Sequence, residues 1–157
     1  MCADGTLALT CILEGELERL RIPAWSGRSV GERLWEHTCF EVFVSRPRTA
    51  RYHELNFAPS GAWAVYGFER YRTRAPLADA PVDPQIVVRR CASDVELGAS
   101  IRLDTLAAEY SHAPLVLALS AVIEDGEGGL SYWALAHPAG KPDFHHAHGF
   151  ALKVDAR

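Results

Sequence analysis

Cys39-Phe40-Glu41-Val42-Phe43-Val44 and Tyr52-His53-Glu54-Leu55-Asn56-Phe57, separated by Ser45 to Arg51 with Pro47 near the middle, form the stretch whose reading decides the fold. Both runs are rich in aromatic and β-branched residues, and the turn signal between them predicts two strands joined as a hairpin. The register follows from burial. With Val44 opposite His53, Val42 meets Leu55 and Phe40 meets Phe57, which gathers apolar side chains on one face. A slip of one residue would set Glu41 beside Leu55 and spoil both faces, so the parity is determined. The other face then carries Cys39, Glu41, Phe43, Tyr52, Glu54 and Asn56.

Outward from this pair the chain keeps the same grammar of short period-two runs broken by Gly, Pro and Asp. Thr6 to Leu13, Glu18 to Arg21, Trp63 to Phe68, Leu130 to Ala134 and Phe150 to Val154 each predict a strand. Val95, Leu97, Ala99, Ile101 and Leu103 alternate with Asp94, Glu96, Gly98, Ser100 and Arg102, the pattern of a strand with one buried and one wet face. Leu115 to Ile123 is almost continuously apolar, as a strand covered on both faces would be. Arg74 to Pro84 holds Pro76, Pro81 and Pro84, which cannot donate inside a sheet, so it predicts a crossover between sheets. Asp104 is placed to cap one short helix from Thr105 to Tyr110. The expectation is an all-β chain, a two-sheet antiparallel β-sandwich of jelly-roll type with one short helix.

With 157 residues the length fits a single domain spanning 1–157, and no internal repeat or long linker divides it. A composition of 48% hydrophobic and 23% charged residues excludes a disordered chain and allows a core without disulfide staples. The formal charge of −4 and a single compact basic cluster, Arg70, Arg72 and Arg74, argue against a nucleic-acid partner. No apolar run reaches the length of a transmembrane helix, and Met1-Cys2-Ala3-Asp4-Gly5 lacks a signal peptide's pattern, so a cytoplasmic protein is expected. Cys2, Cys11, Cys39 and Cys91 have no zinc or redox spacing and are expected to be buried, reduced thiols. His145, His146 and His148 beside Asp143 could offer metal ligands, but Pro142 and Gly149 bracket them as a loop, and a solvated His-rich loop is the plainer reading.

Leu34-Trp35-Glu36-His37-Thr38-Cys39-Phe40-Glu41-Val42-Phe43-Val44, followed by Tyr52-His53-Glu54-Leu55-Asn56-Phe57-Ala58-Pro59-Ser60-Gly61, resembles the signature of DOMON-like domains and family 9 carbohydrate-binding modules. In that group a tryptophan and an acidic or polar residue lead into a Glu-containing strand, and a Tyr/Phe-Glu-x-Asn-x-x-x-Gly strand follows. Gly140-Lys141-Pro142-Asp143-Phe144-His145 and Gly149-Phe150-Ala151-Leu152 are similar to the loop and final strand that close the fold. The likeness runs from about Leu7 to Leu152 and is nearest to small bacterial DOMON-like proteins. It implies a sandwich that binds sugars in some members and heme in others. Heme-binding members commonly pair methionine with histidine, whereas the only methionine here is Met1, so a heme would need two histidines.

Two carboxylates and an amide sharing a face with aromatic rings suit a multi-hydroxyl ligand, because carboxylates and amides bond hydroxyls while rings cover a sugar's apolar face. The plainer alternative is that Glu41 and Glu54 pair with arginines on a wetted sheet. Enzyme signatures such as a nucleophile elbow or Walker A loop do not occur, and paired carboxylates alone are weak grounds for a glycosidase. The candidate ligand-binding residues are Trp35, His37, Glu41, Tyr52, Glu54, Asn56, Trp63 and His145, serving a sugar-like small molecule in a non-enzymatic module. Trp35 is expected at the surface, and burial between the sheets is expected for Trp63 and Trp133. The rival is a heme or metal protein using His37, His53 or the His145, His146, His148 group. No cofactor is named by the sequence, and the oligomeric state stays open.

Overall fold

The computed structural model describes residues 2–3 and 5–155; the side chain of Cys2, expected to be buried, lies outside the described residues. Its strands are β1 (Cys2–Ala3), β2 (Thr6–Glu14), β3 (Ser29–Val30), β4 (Cys39–Ser45), β5 (Tyr52–Phe57), β6 (Ala62–Arg70), β7 (Thr73–Ala75), β8 (Gln85–Arg90), β9 (Asp94–Arg102), β10 (Leu115–Glu124), β11 (Leu130–Ala134) and β12 (Leu152–Val154). They form two sheets. The smaller has the order β1-β2-β9-β8, and the larger runs β11-β10-β4-β5-β6-β3, with β12 on β10 and β7 on β6. All of these pairings are antiparallel except β3 on β6. The all-β sandwich expected from the alternation is therefore the fold.

The β4–β5 hairpin adopts the register that burial demanded, with Phe40 opposite Phe57, Val42 opposite Leu55 and Val44 opposite His53. Those apolar side chains meet Leu97, Ala99 and Ile101 of β9 and Leu7 of β2 in the core between the sheets. Val95 to Ile101 alternate buried and half-buried along β9, as the period-two pattern requires. The proline-bearing crossover leaves the larger sheet after β7 and enters the smaller one at β8. Gly61, at φ +90°, closes the β5–β6 turn where a Cβ would lie 2.6 Å from the Gly27 carbonyl oxygen.

Several expectations are corrected. Glu18–Arg21 is not a strand: Leu17–Arg19 is a 3-10 turn, anchored by buried Leu17 and closed by the Leu20 amide donating to the Leu17 carbonyl at 3.1 Å. No α-helix occurs among the described residues. Asp104 pairs with Arg102 instead of capping, and the segment breaks into two 3-10 turns, Leu103–Thr105 and Ala108–Ser111, that drive Leu106 and Tyr110 into the core. Of the described cysteines only Cys39 is buried; Cys11 is half-buried and Cys91, in the β8–β9 turn, is exposed. Trp133, expected to be buried between the sheets, is 64% exposed on the edge strand β11. No helix among the described residues is long and apolar enough to cross a membrane.

Candidate functional site

The larger sheet is covered on both sides. One side packs on the smaller sheet; the other carries a second apolar cluster of Phe43, Tyr52, Phe68 and Ala118, with Tyr66, Phe144 and Phe150 packed against it. The sheet register explains this grouping. Ser120, Glu41, Asn56 and Ala64 lie opposite one another in one row across β10, β4, β5 and β6. Ala118, Phe43, Glu54 and Tyr66 form the next row, and Ser45, Tyr52, Phe68 and Arg74 the row beyond it. The loop between β11 and β12 folds over these rows and brings His145 down onto them. His145 stands edge-on to Phe43 and to Phe68, with ring centroids at 5.1 Å in both cases.

Beneath this loop is a pocket of about 340 Å³. Glu41, Glu54 and His145 reach its floor, and Trp35, Phe68, Tyr132 and Phe144 supply aromatic wall. Arg72, Arg74 and Asp143 stand at its edge. The volume is at the small end of the roughly 300–1,000 Å³ range of ligand clefts. The mixture of rings and convergent polar groups is also that of a small-molecule site.

The polar face is not solvated, which corrects the alternative of a wetted sheet. Glu41, Glu54 and Asn56 are all buried, and among the described residues neither carboxylate is paired with an arginine. Glu41 accepts from the Ser120 hydroxyl at 3.3 Å and from the Cys39 thiol at 3.7 Å. Burial, reinforced by the nearby charge of Glu54, pushes the Glu41 carboxyl up to about 8, so it holds its proton at neutral pH. Glu54 accepts from the Asn56 amide at 2.9 Å, and burial raises its pKa above the ordinary carboxylate value, against the pull of that hydrogen bond and of Arg74 and Arg72. Asn56 Oδ1 is buried with no hydrogen-bond partner among the described residues.

Tyr52 fixes the histidine. Its hydroxyl accepts from the Arg72 backbone N–H at 3.0 Å and lies 2.9 Å from His145 Nδ1. Having accepted from Arg72, the phenol is free to donate its own hydrogen to Nδ1, which leaves the ring proton on Nε2, 3.6 Å from Glu54 Oε2. Burial, with Arg72 and Arg74 nearby, lowers the His145 pKa to about 4, so the contact with Glu54 joins a neutral ring to a carboxyl group and is not an ion pair at neutral pH. Asp143 locks the edge of the pocket: it accepts from Arg72 at 2.8 Å and from the Tyr71 hydroxyl at 2.6 Å. Desolvation opposes its charge, yet these donors hold its carboxyl below the usual range. Arg72 itself sits at φ +52°, a left-handed conformation that a non-glycine residue adopts at a cost, and its N–H is the one held by Tyr52.

Of the sequence candidates, Trp35, Glu41, Glu54 and His145 line the pocket, and Tyr52 and Asn56 support it from below. Two do not join them. His37 is exposed just before β4 begins, bonded through Nδ1 to Glu124 at 2.7 Å. Trp63 lies opposite Phe57 and packs against the core between the sheets, because the parity of β6 turns 63 away from the site and 66 and 68 toward it. Sequence reading missed Phe68, Arg72, Arg74, Tyr132 and Phe144. The spacing of Arg72 and Arg74 was visible only as a basic cluster, and its meaning depends on the β6–β7 turn that folds it back over Tyr52.

The histidines do not fit an axial pair for heme. His53 faces the core side and bonds Tyr110 at 3.0 Å, His37 is at the surface, and His145 is engaged by Tyr52, so the three stand in separate surroundings. His146 and His148 stack on each other at 4.9 Å while His145 turns inward, and among the described residues no three His, Cys, Asp or Glu side chains are grouped to hold a metal ion.

Comparison with family models finds no match, and comparison with curated proteins finds none. Among solved structures the chain is similar to the crystal structure of a "putative carbohydrate-binding protein" from Bacteroides uniformis, with a TM-score of 0.62 and 17% sequence identity over 94% of this chain and 72% of that one. At this identity the likeness is one of fold.

Proposed function

We propose that this chain is a single, non-enzymatic binding module for a sugar-like small molecule, of the DOMON-like and family 9 carbohydrate-binding kind, with its ligand in the pocket over the larger sheet. The observation that carries the reading is the burial of two carboxyl groups, with no cationic partner among the described residues, at the floor of an aromatic-walled pocket. Such groups cost stability, and a fold has no structural reason to keep a pair of them side by side. Protonated Glu41 can donate, Glu54 can accept, and the rings can cover the apolar face of a pyranose. The fold shared with a protein named for carbohydrate binding supports the same ligand class. The free thiols of Cys11, Cys39 and Cys91 support a reducing, cytoplasmic setting.

Trp35 reports on the pocket directly. Titration of monosaccharides and disaccharides should change the tryptophan fluorescence of the wild type, and Trp35→Phe should abolish that change. A signal that persists in Trp35→Phe would move the ligand away from this pocket.

A further inference from the structure

Among the described residues, every carboxyl, histidine or cationic side chain named around the pocket but one has a hydrogen-bonding partner within the protein. Arg72 is bound to Asp143 at 2.8 Å, Glu54 to Asn56, and Glu41 to Ser120. Arg74 is the exception. Its guanidinium lies over the ring of Tyr66, 3.8 Å from the centroid, and over Phe68 at 4.8 Å, and among the described residues it makes no hydrogen bond or ion pair. The strand pairing fixes its position: Arg74 lies opposite Phe68, which lies opposite Tyr52, so it stands on the site face at the pocket's exposed edge. Two aromatic faces hold the planar group by cation–π contact and leave its N–H edge undirected toward any protein acceptor.

We propose that the ligand is a sugar acid, with its carboxylate taken by the Arg74 guanidinium and its hydroxyls by Glu54 and His145 on the floor. This rests on the sugar reading of the same pocket and narrows it. A guanidinium presents parallel N–H groups that match a carboxylate bidentately, and stacking on Tyr66 and Phe68 means that little side-chain freedom remains to be lost on binding. Arg72 is already neutralised by Asp143, so Arg74 is the cation left to recruit an anion. The buried floor offers hydroxyl partners instead of a second cation, which fits a ligand charged at one end and neutral elsewhere.

Isothermal titration of the wild type with glucuronate, galacturonate, glucose, galactose and glucose 6-phosphate tests this, alongside Arg74→Gln and Arg74→Lys. The expected result is a uronate bound about tenfold or more tighter than its parent hexose, the scale of one charge-assisted hydrogen-bonded contact. In Arg74→Gln the ratio should fall to near one, and Arg74→Lys, which keeps the charge but not the fork, should fall between. The wild-type ratio should also shrink as salt is raised. Equal affinities for uronate and hexose, a ratio that survives Arg74→Gln, or a preference for the sugar phosphate would overturn the proposal and leave the sugar reading standing. Silence toward every compound would overturn both.

Discussion

The hydroxyl of Tyr52 on β5 and Nδ1 of His145 in the last long loop, 93 residues apart in sequence, meet at 2.9 Å. The same hydroxyl accepts the Arg72 amide hydrogen, so one phenol joins the sheet, the β6–β7 turn and the loop that roofs the pocket. The roof over Glu41 and Glu54 is thereby tied to the sheet beneath it through this hydroxyl.

Tyr52→Phe removes that atom and strands a backbone N–H and a ring nitrogen in a part-buried place. A loss of about 1–3 kcal/mol is expected from urea unfolding, the scale of an unsatisfied buried group. Amide exchange of residues 143–149 should accelerate more than that of β9, which does not touch the phenol.

Phe43 is fully buried on the site face, against Tyr52, His145 and Phe150. Phe43→Ala should cost about 3–5 kcal/mol, as other large core truncations do. If the second face were only a loosely covered surface, the loss measured by denaturant titration would stay under about 1 kcal/mol.

The titrating groups of the floor give stability a definite pH signature. Glu41 is raised from 4.5 to about 8, so the folded state holds a proton that the unfolded state releases; its contribution is complete below pH 4.5 and is lost as the pH climbs toward 8. His145 is lowered from 6.5 to about 4, so it opposes this trend between those values and is silent above 6.5, where both states are neutral. Above pH 6.5 the wild type should therefore lose stability toward pH 8, with a slope of up to about 1.4 kcal/mol per pH unit for one proton. Glu41→Gln keeps the acceptor for Ser120 and has no proton to lose, so its melting temperature should be flatter over the same range and higher than that of the wild type at pH 8. A wild-type profile without a fall from 6.5 to 8 would show that Glu41 ionises normally.

The hairpin register was legible because burial forbids its neighbours: one slipped residue would put Glu41 against Leu55. The same parity correctly grouped Glu41, Glu54, Asn56, Phe43 and Tyr52, and the final loop did deliver His145 to them. What alternation could not convey is what covers a face. The segment 136–150 has no periodicity, so nothing in it announced that it would fold over the polar side and bury it. Trp63 lies where burial between the sheets was expected, and its pairing with Phe57 turns it away from the site face. Strand β8 escaped notice because Gln85–Arg90 sits between a proline-rich crossover and a turn, at the margin of its sheet.

Binding against folding at Glu54 is the point on which the functional reading turns, and calorimetric titration of the sugar and sugar-acid panel into wild type and Glu54→Gln at neutral pH tests it most directly. His145 is neutral, so the amide strands no charge, and the variant should not show the roughly 3–5 kcal/mol loss of a broken buried ion pair. The expected result is heat from at least one sugar or sugar acid with the wild type, and binding about tenfold or more weaker in Glu54→Gln. Silence across the panel at millimolar concentration, or undiminished binding by Glu54→Gln, would contradict it.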